Sequence, residues 1–460
     1  MAKFRVPALV KKFGDYFHSN GFSLYIVGGA VRDYYLGIKN SDYDFATDAL
    51  PSEVQKIFKR VIPTGIKHGT VTVLFKGASY EVTTFRIDGK YEDLRRPSAI
   101  TFVSNLEEDL KRRDFTINAL AVEVSTGLLI DQHGGLKDLK AGIIRAIGDP
   151  YKRFNEDALR IMRGCRLVSQ LEFNLEEGTM EAMRSLSVNL KEVSGERIHS
   201  ELFKILASPK PSLGLRALDA CGALAILFPE LKAGDKVEQK GFHNQDVLQH
   251  NFSACDAAPR SKPIVRLAAL LHDIGKAFTK RVDSNAIITF HNHEVVGAEL
   301  ALGVLERLKS SNEEKFRVSN LVRNHMFYYS EEWSDGAVRR FVNRVGLENL
   351  EDLFDLRIAD QIAIHGKPIP ASITALKARI TAVLAESNAL TVKDLAINGN
   401  LLASLGIPRG PVMGEILSAL LETVLDDPTQ NERDKLLDIA QKLYSAKTIG
   451  YHRQGRPKQS

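Results

Sequence analysis

Residues 25–47 read Y-I-V-G-G-A-V-R-D-Y-Y-L-G-I-K-N-S-D-Y-D-F-A-T: an apolar run ends in two glycines, and two alternating aspartates follow. The apolar run predicts a strand that turns at Gly28 and Gly29 into a helix. Glycines at such a junction let the backbone approach a ligand, and the first N–H groups of a helix bind phosphate. Arg32, in the first turn, would add a charge-assisted contact to a phosphate oxygen. The stretch therefore predicts a phosphate-binding turn within an α/β unit.

The triplet D-Y-D adds two carboxylates to this turn. On a strand, Asp42 and Asp44 would point to the same side, about 7 Å apart at the backbone. Mg²⁺ takes one or two carboxylates together with substrate phosphates, so the pair is a candidate Mg²⁺ site. Glu81, in S-Y-E-V-T-T-F-R on a later predicted strand, is a candidate third catalytic carboxylate. Alternating acids also occur on exposed strand faces, and it is the glycine turn upstream that favours the catalytic interpretation.

Two Arg-Asp combinations follow further along the chain. In K-R-R-D-F-T-I-N-A, Arg113 could bind a triphosphate and Asp114 could accept from a ribose hydroxyl; a surface ion pair is the alternative. In N-E-D-A-L-R, Asp157 and Arg160 are three residues apart, which predicts one shared helix face. A carboxylate acceptor beside the N–H donors of an arginine matches the hydrogen-bonding edges of cytosine and adenine. Uracil and guanine present their donors and acceptors in the opposite order. A plain i,i+3 salt bridge is the alternative interpretation.

Composition limits the class of protein. The chain has 460 residues, 44% hydrophobic and 26% charged, which predicts two to four domains. Its net charge of +5 permits a phosphate-rich partner without requiring one. The start lacks a signal-peptide core, no apolar run is long enough to span a membrane, and three scattered cysteines suit a reducing compartment. We therefore expect a cytoplasmic protein without a membrane partner.

Hydrophobic periodicity divides the chain into four zones. Residues 1–150 are strand-rich with intervening helices, whereas the remainder is helical. We expect an α+β protein with these units: a head over 1–150, a helical neck over 151–238, a histidine-rich unit over 239–370 and a helical tail over 371–460. The neck helix predicted from about residue 153 carries a basic stripe, and we expect its Arg163 to join the nucleotide-binding residues. A solvated helical face is the alternative for any one such charge.

Seven motifs in order between residues 25 and 200 carry a resemblance. They are G-G-A-V-R-D, D-Y-D, P-T-G-I-K-H-G-T-V-T-V, R-R-D-F-T-I-N-A, D-x-H-G-G-L-K-D-L, E-D-A-L-R and S-G-E-R-I. This series resembles the class II tRNA nucleotidyltransferases, the CCA-adding enzymes of the polymerase-β-like superfamily. The resemblance implies addition of CCA to tRNA 3′ ends from CTP and ATP without a nucleic-acid template. It assigns Mg²⁺ to Asp42 and Asp44, and base selection to Asp157 and Arg160.

Related enzymes add other products, and the sequence leaves some of these open. CC-adding members have a shortened loop, whereas D-G-K-Y-E-D-L-R-R-P at residues 88–97 looks intact and disfavours CC-only addition. Addition of A alone stays open. Poly(A) polymerases of this group tend to carry an arginine-rich element where this chain has P-T-G-I-K-H-G, so poly(A) synthesis is disfavoured. Arg and Lys of the tail, near G-I-P-R-G-P at 406–411, are expected to meet the tRNA backbone.

The third zone contains the adjacent pair of L-L-H-D-I-G-K at 270–276, in a predicted apolar helix. With a distant His and Asp, the pair offers mixed nitrogen and oxygen ligands for a divalent transition metal. It resembles the HD phosphohydrolase domain. The candidate ligands are His250, His272, Asp273 and Asp360, and the resemblance implies a second ion at His293 and His325. A second hypothesis makes the chain chiefly an HD phosphohydrolase whose head senses nucleotides.

Overall fold

A computed structural model of the chain describes residues 4–39, 42–88, 100–239, 245–367, 371–386 and 390–454. Its N-terminal part is built on a seven-stranded sheet in the order β3-β4-β5-β2-β1-β8-β9, within the described residues. Strands β6 and β7 form a separate antiparallel pair. The head strands are β1 (Leu24–Val27), β2 (Asp44–Thr47), β3 (Val61–Gly65), β4 (Thr70–Phe75), β5 (Ala78–Thr84), β6 (Arg86–Asp88), β7 (Ile100–Phe102), β8 (Ala121–Glu123) and β9 (Leu129–Ile130).

Apolar residues on both faces hold this sheet inside the head. Successive strand residues point to opposite sides, so Ile26 and Phe45 enter the main core, whereas Val27 and Ala46 enter a smaller core on the other face. Helices cover the sheet because neither face is polar enough to be left to solvent. The head helices are α1 (Ala8–Ser19), α2 (Gly29–Tyr35), α3 (Pro51–Ile57), α4 (Leu106–Lys111) and α5 (Gly135–Ala141).

The register of strand β2 brings two of the predicted carboxylates together. Asp44 opens the strand and lies opposite Glu81 of the parallel strand β5. On its other side Asp44 pairs with Val27 of β1, directly before the glycine turn. Asp42 and Tyr43 precede the strand, so the expectation that D-Y-D is strand throughout is wrong for its first two residues. The glycine turn and the D-Y-D triplet therefore share one sheet edge.

The rest of the chain is mainly helical. The neck contains α6 (Pro150–Glu156), α7 (Leu159–Leu171), α8 (Glu177–Leu186), α9 (Gly195–Leu206), α10 (Pro211–Ala220), α11 (Ala223–Leu227) and α12 (Pro229–Lys232). Then follow α13 (Val247–Ala257), α14 (Pro263–Leu271), α15 (Lys276–Thr279), α16 (His293–Arg307), α17 (Asn312–Asn324), α18 (Asp335–Val345) and α19 (Leu350–His365). The last helices are α20 (Ala371–Glu386), α21 (Gly399–Ser404), α22 (Pro411–Asp426) and α23 (Arg433–Gln454). Short strand pairs join Ile143–Ile144 to Asn174–Leu175, and Arg281–Val282 to Ile288–Thr289.

The neck helix breaks at one of the predicted base-selecting residues. Asp157 lies between α6 and α7 with an extended backbone, φ −149° and ψ 104°. Its carboxylate accepts a hydrogen bond from the Leu159 N–H at 3.1 Å, which helps to start α7. The prediction that Asp157 and Arg160 share one helix face is therefore wrong, because only Arg160 is in the helix.

Two separate hydrophobic cores organise the helical part. The main core continues from the head through the neck as far as Val383 of α20, whereas helices α21 to α23 pack around a second core centred on Leu402, Leu420 and Leu436. All three cysteines are buried free thiols. Within the described ranges, no helix combines the length and apolar character that a bilayer span needs.

Candidate active site and metal centre

A cleft of about 780 Å³, the head cleft, opens between the sheet edge and helices α7 and α9. Among the described residues, its walls carry eight arginines: Arg32, Arg86, Arg112, Arg113, Arg160, Arg163, Arg166 and Arg197. Three aspartates join them: Asp44, Asp114 and Asp157. So many guanidinium groups around one opening create a strongly positive potential, which suits a polyphosphate ligand.

The glycine turn forms one wall of this cleft. Gly28 has φ 71°, a left-handed backbone angle that favours glycine. A Cβ atom at Gly28 would lie 3.3 Å from Nη1 of Arg113, and one at Gly29 would lie 3.5 Å from Nη2 of Arg32. Bare backbone therefore lies next to two guanidinium groups. The four residues predicted to bind phosphate are brought together.

The predicted catalytic carboxylates interact with one another at the sheet edge. Partial desolvation and Asp42 raise the pKa of Asp44, although Arg113 opposes the shift. Desolvation, Asp44 and then Asp42 raise the pKa of Glu81. Mutual repulsion of this kind is what a divalent cation relieves, so the donor set fits a hard metal ion. Asp42 lies near this group without lining the head cleft.

Arg113 is oriented by a buried acid. Its Nη2 donates to Oδ2 of Asp109 at 3.1 Å, while the neighbouring Arg112 donates to Oδ1 at 2.7 Å. Burial would raise the pKa of Asp109, but the two arginines hold it below its ordinary value. One buried carboxylate thus aligns both arginines of the R-R-D motif, with Arg113 directed at the glycine turn.

Asp114 is buried and already holds protein donors on both oxygens. Oδ1 accepts from the Phe115 N–H at 2.8 Å and from Asn118 at 3.2 Å, and Oδ2 accepts from Nε of Arg163 at 2.7 Å. Burial opposes ionisation, but Arg163 and these hydrogen bonds hold the pKa of Asp114 well below its ordinary range. The residue lines the head cleft, and its contact with a ribose stays a prediction.

The two base-selecting candidates both line the head cleft but do not bond to each other through their side chains. Asp157 pairs with Arg197 of α9, whose Nη2 lies 2.8 Å from Oδ2. Nη1 of Arg160 donates to Glu156 at 2.7 Å. It also donates to the carbonyl of Arg153 at 3.0 Å, and Nη2 donates to the carbonyl of Arg112 at 2.9 Å. The simple i,i+3 salt bridge is therefore not formed.

Several cleft residues were not singled out from the sequence. Arg112, Asn118 and Arg197 lie inside the motifs R-R-D-F-T-I-N-A and S-G-E-R-I, so motif membership was the available signal. Arg166 lies in the predicted basic stripe, and its Nη1 is 3.1 Å from Oε2 of the buried Glu201. Arg86 had no signal beyond its charge.

A second group, the histidine–aspartate cluster, lies in the body. Its members are His250, His272, Asp273, His293, His325 and Asp360, all buried. Nε2 of His250 lies 3.2 Å from Nε2 of His272 and 3.1 Å from Oδ1 of Asp360. Asp273 Oδ2 is 3.3 Å from Nε2 of His272. All four residues predicted to hold the first ion thus converge.

Asp273 also faces the two other histidines. Its Oδ1 lies 3.3 Å from Nε2 of His293 and 3.6 Å from Nε2 of His325. Ligand atoms of His250, His272 and Asp273 lie within 4.8 Å of one another, and so do those of Asp273, His293 and His325. One carboxylate therefore joins two possible ligand sets, as the prediction of two ions requires.

Three of these rings are held through their other nitrogen. The Nδ1 atoms face backbone carbonyl oxygens, His272 to Ala269 at 2.8 Å, His293 to Phe290 at 2.8 Å and His325 to Val322 at 2.7 Å. A carbonyl at Nδ1 fixes the tautomer that leaves Nε2 free to bind a metal, which is the usual arrangement of metal-bound histidines. The donor set therefore fits divalent metal ions.

The glycine of H-D-I-G-K explains how the second ligand set is brought close. H-D-I-G lies in the turn between α14 and α15, not within a helix as predicted. A Cβ atom at Gly275 would lie 2.1 Å from the carbonyl oxygen of His293. Only glycine lets α16 begin this near to Asp273. Lys276 then donates to Oδ2 of Asp273 at 2.6 Å.

The buried histidines and aspartates of the cluster shift one another's pKa values. Burial would lower the pKa of His272, but Asp273 and Asp360 raise it to about 10. Burial would raise the pKa of Asp273, but His272 and Lys276 hold it well below its ordinary value. Buried carboxylates stay ionised only when cations face them, and bound metal ions would serve the same purpose.

Three sequence families match the chain. The Poly A polymerase head domain matches residues 24–145, the probable RNA and SrmB-binding site of polymerase A matches 172–234, and the HD domain matches 247–370. The first covers the sheet with its glycine turn and D-Y-D triplet. The third covers all six members of the histidine–aspartate cluster.

Curated relatives resemble the chain over nearly its whole length. The CCA-adding enzyme of Ligilactobacillus salivarius is 34% identical over 438 residues, 93% of this chain and 94% of the relative. That of Lactobacillus gasseri is 36% identical over 419 residues, 91% and 93% of the two chains. The crystal structure of the Bacillus stearothermophilus CCA-adding enzyme in complex with CTP is 29% identical, with TM-score 0.70 and coverage of 96% and 98%. The chain therefore belongs to the CCA-adding enzyme family of tRNA nucleotidyltransferases, and it carries an HD domain.

Proposed function

We propose that this protein adds the 3′-terminal CCA to tRNA from CTP and ATP without a nucleic-acid template. The observation that carries the proposal is the head cleft, where a glycine turn and eight arginines adjoin a carboxylate pair on the sheet edge. A similar protein of known structure binds CTP, and the similarity extends over both chains almost completely.

We assign Mg²⁺ to Asp42 and Asp44, with Glu81 beside them. When bound, the ion would neutralise charge on the triphosphate and on the attacking 3′-hydroxyl. The chain's own contribution is positioning: the backbone at Gly28 and Gly29, with Arg32 and Arg113, holds the phosphates. Catalysis of phosphoryl transfer rests mainly on such alignment and charge stabilisation.

Asp157 and Arg160 are assigned to base selection. The Asp157 carboxylate would accept from the amino group of cytosine or adenine, while Arg160 would donate to the ring nitrogen. Arg160 gives three of its five N–H donors to Glu156 and two carbonyls, and the remaining two, on Nε and Nη2, are the ones we assign to the base. Arg163 and Asp114 are assigned to the ribose and phosphate side of the same ligand.

The product is determined by one experiment. Transcripts of tRNA ending at the discriminator base, at C and at CC are each incubated with CTP, ATP or both, and product lengths are read on a gel. CCA addition predicts two C residues on the first transcript and one A on the third. Stopping after CC, adding only A, or extending A indefinitely would identify the alternatives. The loop at 88–97 that disfavours CC-only addition lies, apart from Asp88, outside the described residues.

The histidine–aspartate cluster supports a second candidate activity. We propose that it holds one or two divalent transition-metal ions and hydrolyses phosphoesters, since mixed imidazole and carboxylate donors favour such ions. Asp44→Asn should stop nucleotide incorporation while leaving hydrolysis intact, whereas Asp273→Ala should do the reverse. Phosphate release by a wild-type protein that incorporates no nucleotide would favour a phosphohydrolase with a nucleotide-sensing head.

The remaining assignments concern organisation. We propose a catalytic head at 1–150, a base-selecting neck at 151–238, the HD unit at 239–370 and a tRNA-binding tail at 371–460. The separate hydrophobic core of helices α21 to α23 supports treating that part of the tail as a unit, whereas α20 packs into the main core. A cytoplasmic location is consistent with a tRNA substrate and with three free thiols.

A further inference from the structure

The carboxylate of Asp157 is oriented by two donors from different parts of the chain. Oδ1 accepts from the Leu159 N–H at 3.1 Å, and Oδ2 accepts from Nη2 of Arg197 at 2.8 Å. Asp157 sits in the break between α6 and α7, where no helix backbone restrains its side chain. Arg197 therefore supplies the only long-range hydrogen bond found for this carboxylate among the described residues.

Helix α9 is built to bring Arg197 to this position. Its first residue, Gly195, packs so tightly that a Cβ atom would lie 2.0 Å from the carbonyl oxygen of Arg307, at the end of α16. One turn after Arg197, the buried Glu201 of α9 holds Arg166 of α7 at 3.1 Å. Two ion pairs thus join α9 to the cleft wall, and both lead to residues that line the head cleft.

Arg160 does not substitute for Arg197. Its guanidinium group is held by Glu156 and by backbone carbonyls, so its position does not depend on Asp157. The two base-selecting candidates are consequently fixed by two independent sets of partners. The direction in which Asp157 offers its acceptor edge is set by Leu159 and Arg197 alone among the contacts described.

We propose that Arg197 is a positioning residue for nucleobase selection, holding the Asp157 carboxylate so that its free lone pairs face the base. This inference rests on the proposed base-selecting function of Asp157. Each carboxylate oxygen has two lone pairs, so Oδ2 can accept from Arg197 and from an exocyclic amino group together. An ionised carboxylate can only accept hydrogen bonds, so a carboxylate held in this direction excludes the O4 of uracil and the O6 of guanine.

The test compares Arg197→Met and Arg197→Lys with wild type in single-nucleotide incorporation on tRNA ending at the discriminator base and at CC. kcat and KM are measured for CTP, UTP, ATP and GTP. Loss of one charge-assisted hydrogen bond should lower the CTP-over-UTP and ATP-over-GTP ratios of kcat/KM roughly tenfold in Arg197→Met. Arg197→Lys keeps the charge and should restore part of the ratio.

A double variant tests whether Arg197 influences nucleotide discrimination by way of Asp157. In an Asp157→Ala background, Arg197→Met should cause no further loss of discrimination, because the group that it positions is gone. Arg184→Met is the matched control: it removes an exposed arginine of the same neck that donates to the Ala220 carbonyl at 3.3 Å. Thermal melts of each variant identify misfolding. If Arg197→Met unfolds, the nucleotide ratios of Arg197→Lys test the inference in its place.

Equal reduction of kcat/KM for all four nucleotides would overturn the inference, since Arg197 would then act on the triphosphate or on folding. Additive losses in the double variant would overturn it as well. Failure of the wild-type protein to incorporate any nucleotide would instead refute the proposed function itself.

Discussion

Replacing Gly275 with alanine should disrupt one ligand set of the histidine–aspartate cluster and spare the other. The added Cβ atom would lie 2.1 Å from the carbonyl oxygen of His293 and 2.7 Å from the amide nitrogen of Gly297. Contacts shorter than 3.0 Å essentially never occur, so the start of α16 must move by at least ~0.9 Å. Both obstructing atoms are backbone, so no side-chain rotation relieves the clash.

The size of this movement decides the effect on metal binding. Metal–ligand distances tolerate deviations of only about 0.2 Å, so His293 would leave the position 3.3 Å from Asp273 that the second set requires. His250 lies on α13, and His272 is anchored by the Ala269 carbonyl of α14, so we expect both to keep their places. The overpacking lowers the free energy of unfolding by roughly 1–3 kcal/mol. Alanine also reduces the conformational entropy of the unfolded chain, which offsets up to about 1 kcal/mol of that loss.

Metal content and stability are measured on the same preparations. Both chains carry Asp44→Asn to remove the proposed head site; loaded with Mn²⁺ and freed of excess ion, the chain with Gly275 should contain two ions and the Gly275→Ala chain one. Urea unfolding is followed through Trp333, the chain's single tryptophan, which packs beside Tyr329 and Phe341 in the HD unit. The variant's unfolding free energy should fall by about 1–2 kcal/mol.

Gly303→Ala in the same helix is the matched control. The nearest atom to its added Cβ is a flexible arginine nitrogen at 4.0 Å, so it should bind metal normally and gain up to about 1 kcal/mol. If Gly275→Ala retained both ions and full stability, the close approach of α16 would not be what forms the second ligand set.

Three further predictions concern the head and neck. Asp44→Asn should lower nucleotide incorporation roughly a hundredfold or more with an unchanged thermal melt, because a metal-binding carboxylate is lost; normal incorporation would remove the assignment. Asp114→Asn should lower the free energy of unfolding in urea at pH 7 by about 2–3 kcal/mol. This is less than for a fully buried ion pair, because the side chain of Arg163 is 38% exposed. The folded-state pKa of Asp114 is depressed, so this difference is full above its unfolded pKa of about 3.9 and shrinks as pH falls below it; a difference that grows in acid would contradict the pairing. Gly195→Ala should reproduce the discrimination loss of Arg197→Met, because its Cβ would displace α9 from the Arg307 carbonyl; unchanged nucleotide ratios would show that α9 tolerates the shift.

The sequence was most informative where chemistry and spacing coincide within a short segment. The glycine turn, Arg32 and Asp44 lie within twenty residues, and strand alternation was enough to place Asp44 on the sheet. Glu81 was expected on a strand, and its position opposite Asp44 follows from parallel pairing of β2 and β5. The six residues of the histidine–aspartate cluster, chosen because the adjacent His-Asp pair resembles the HD domain, lie together in the structure, and their binding of metal stays a prediction.

The sequence did not indicate which residues far apart along the chain contact one another. Spacing placed Asp157 and Arg160 on one helix, but the helix stops before Asp157, whose side chain starts the next one. The break itself involves a local contact, the Leu159 N–H to Asp157, that the spacing argument overlooked. The second partner of the Asp157 carboxylate, Arg197, lies forty residues later and has no local signal. The i,i+4 spacing of Glu156 and Arg160 could have indicated their ion pair, whereas no local signal indicates that Arg160 also donates to the carbonyl of Arg112. Charge alone identified arginines as ligands without showing which of them hold other residues in place.

Helix α16 connects the two halves of the molecule physically. It begins at His293, a candidate metal ligand, and ends at Arg307, whose carbonyl packs against Gly195 at the start of the helix that carries Arg197. Fifteen residues at 1.5 Å per residue span about 22 Å, and a helix of this length resists compression along its axis. The HD unit therefore supports the neck whether or not its cluster binds metal. The proposed base-selecting geometry would therefore depend on this helix even in a protein without phosphohydrolase activity.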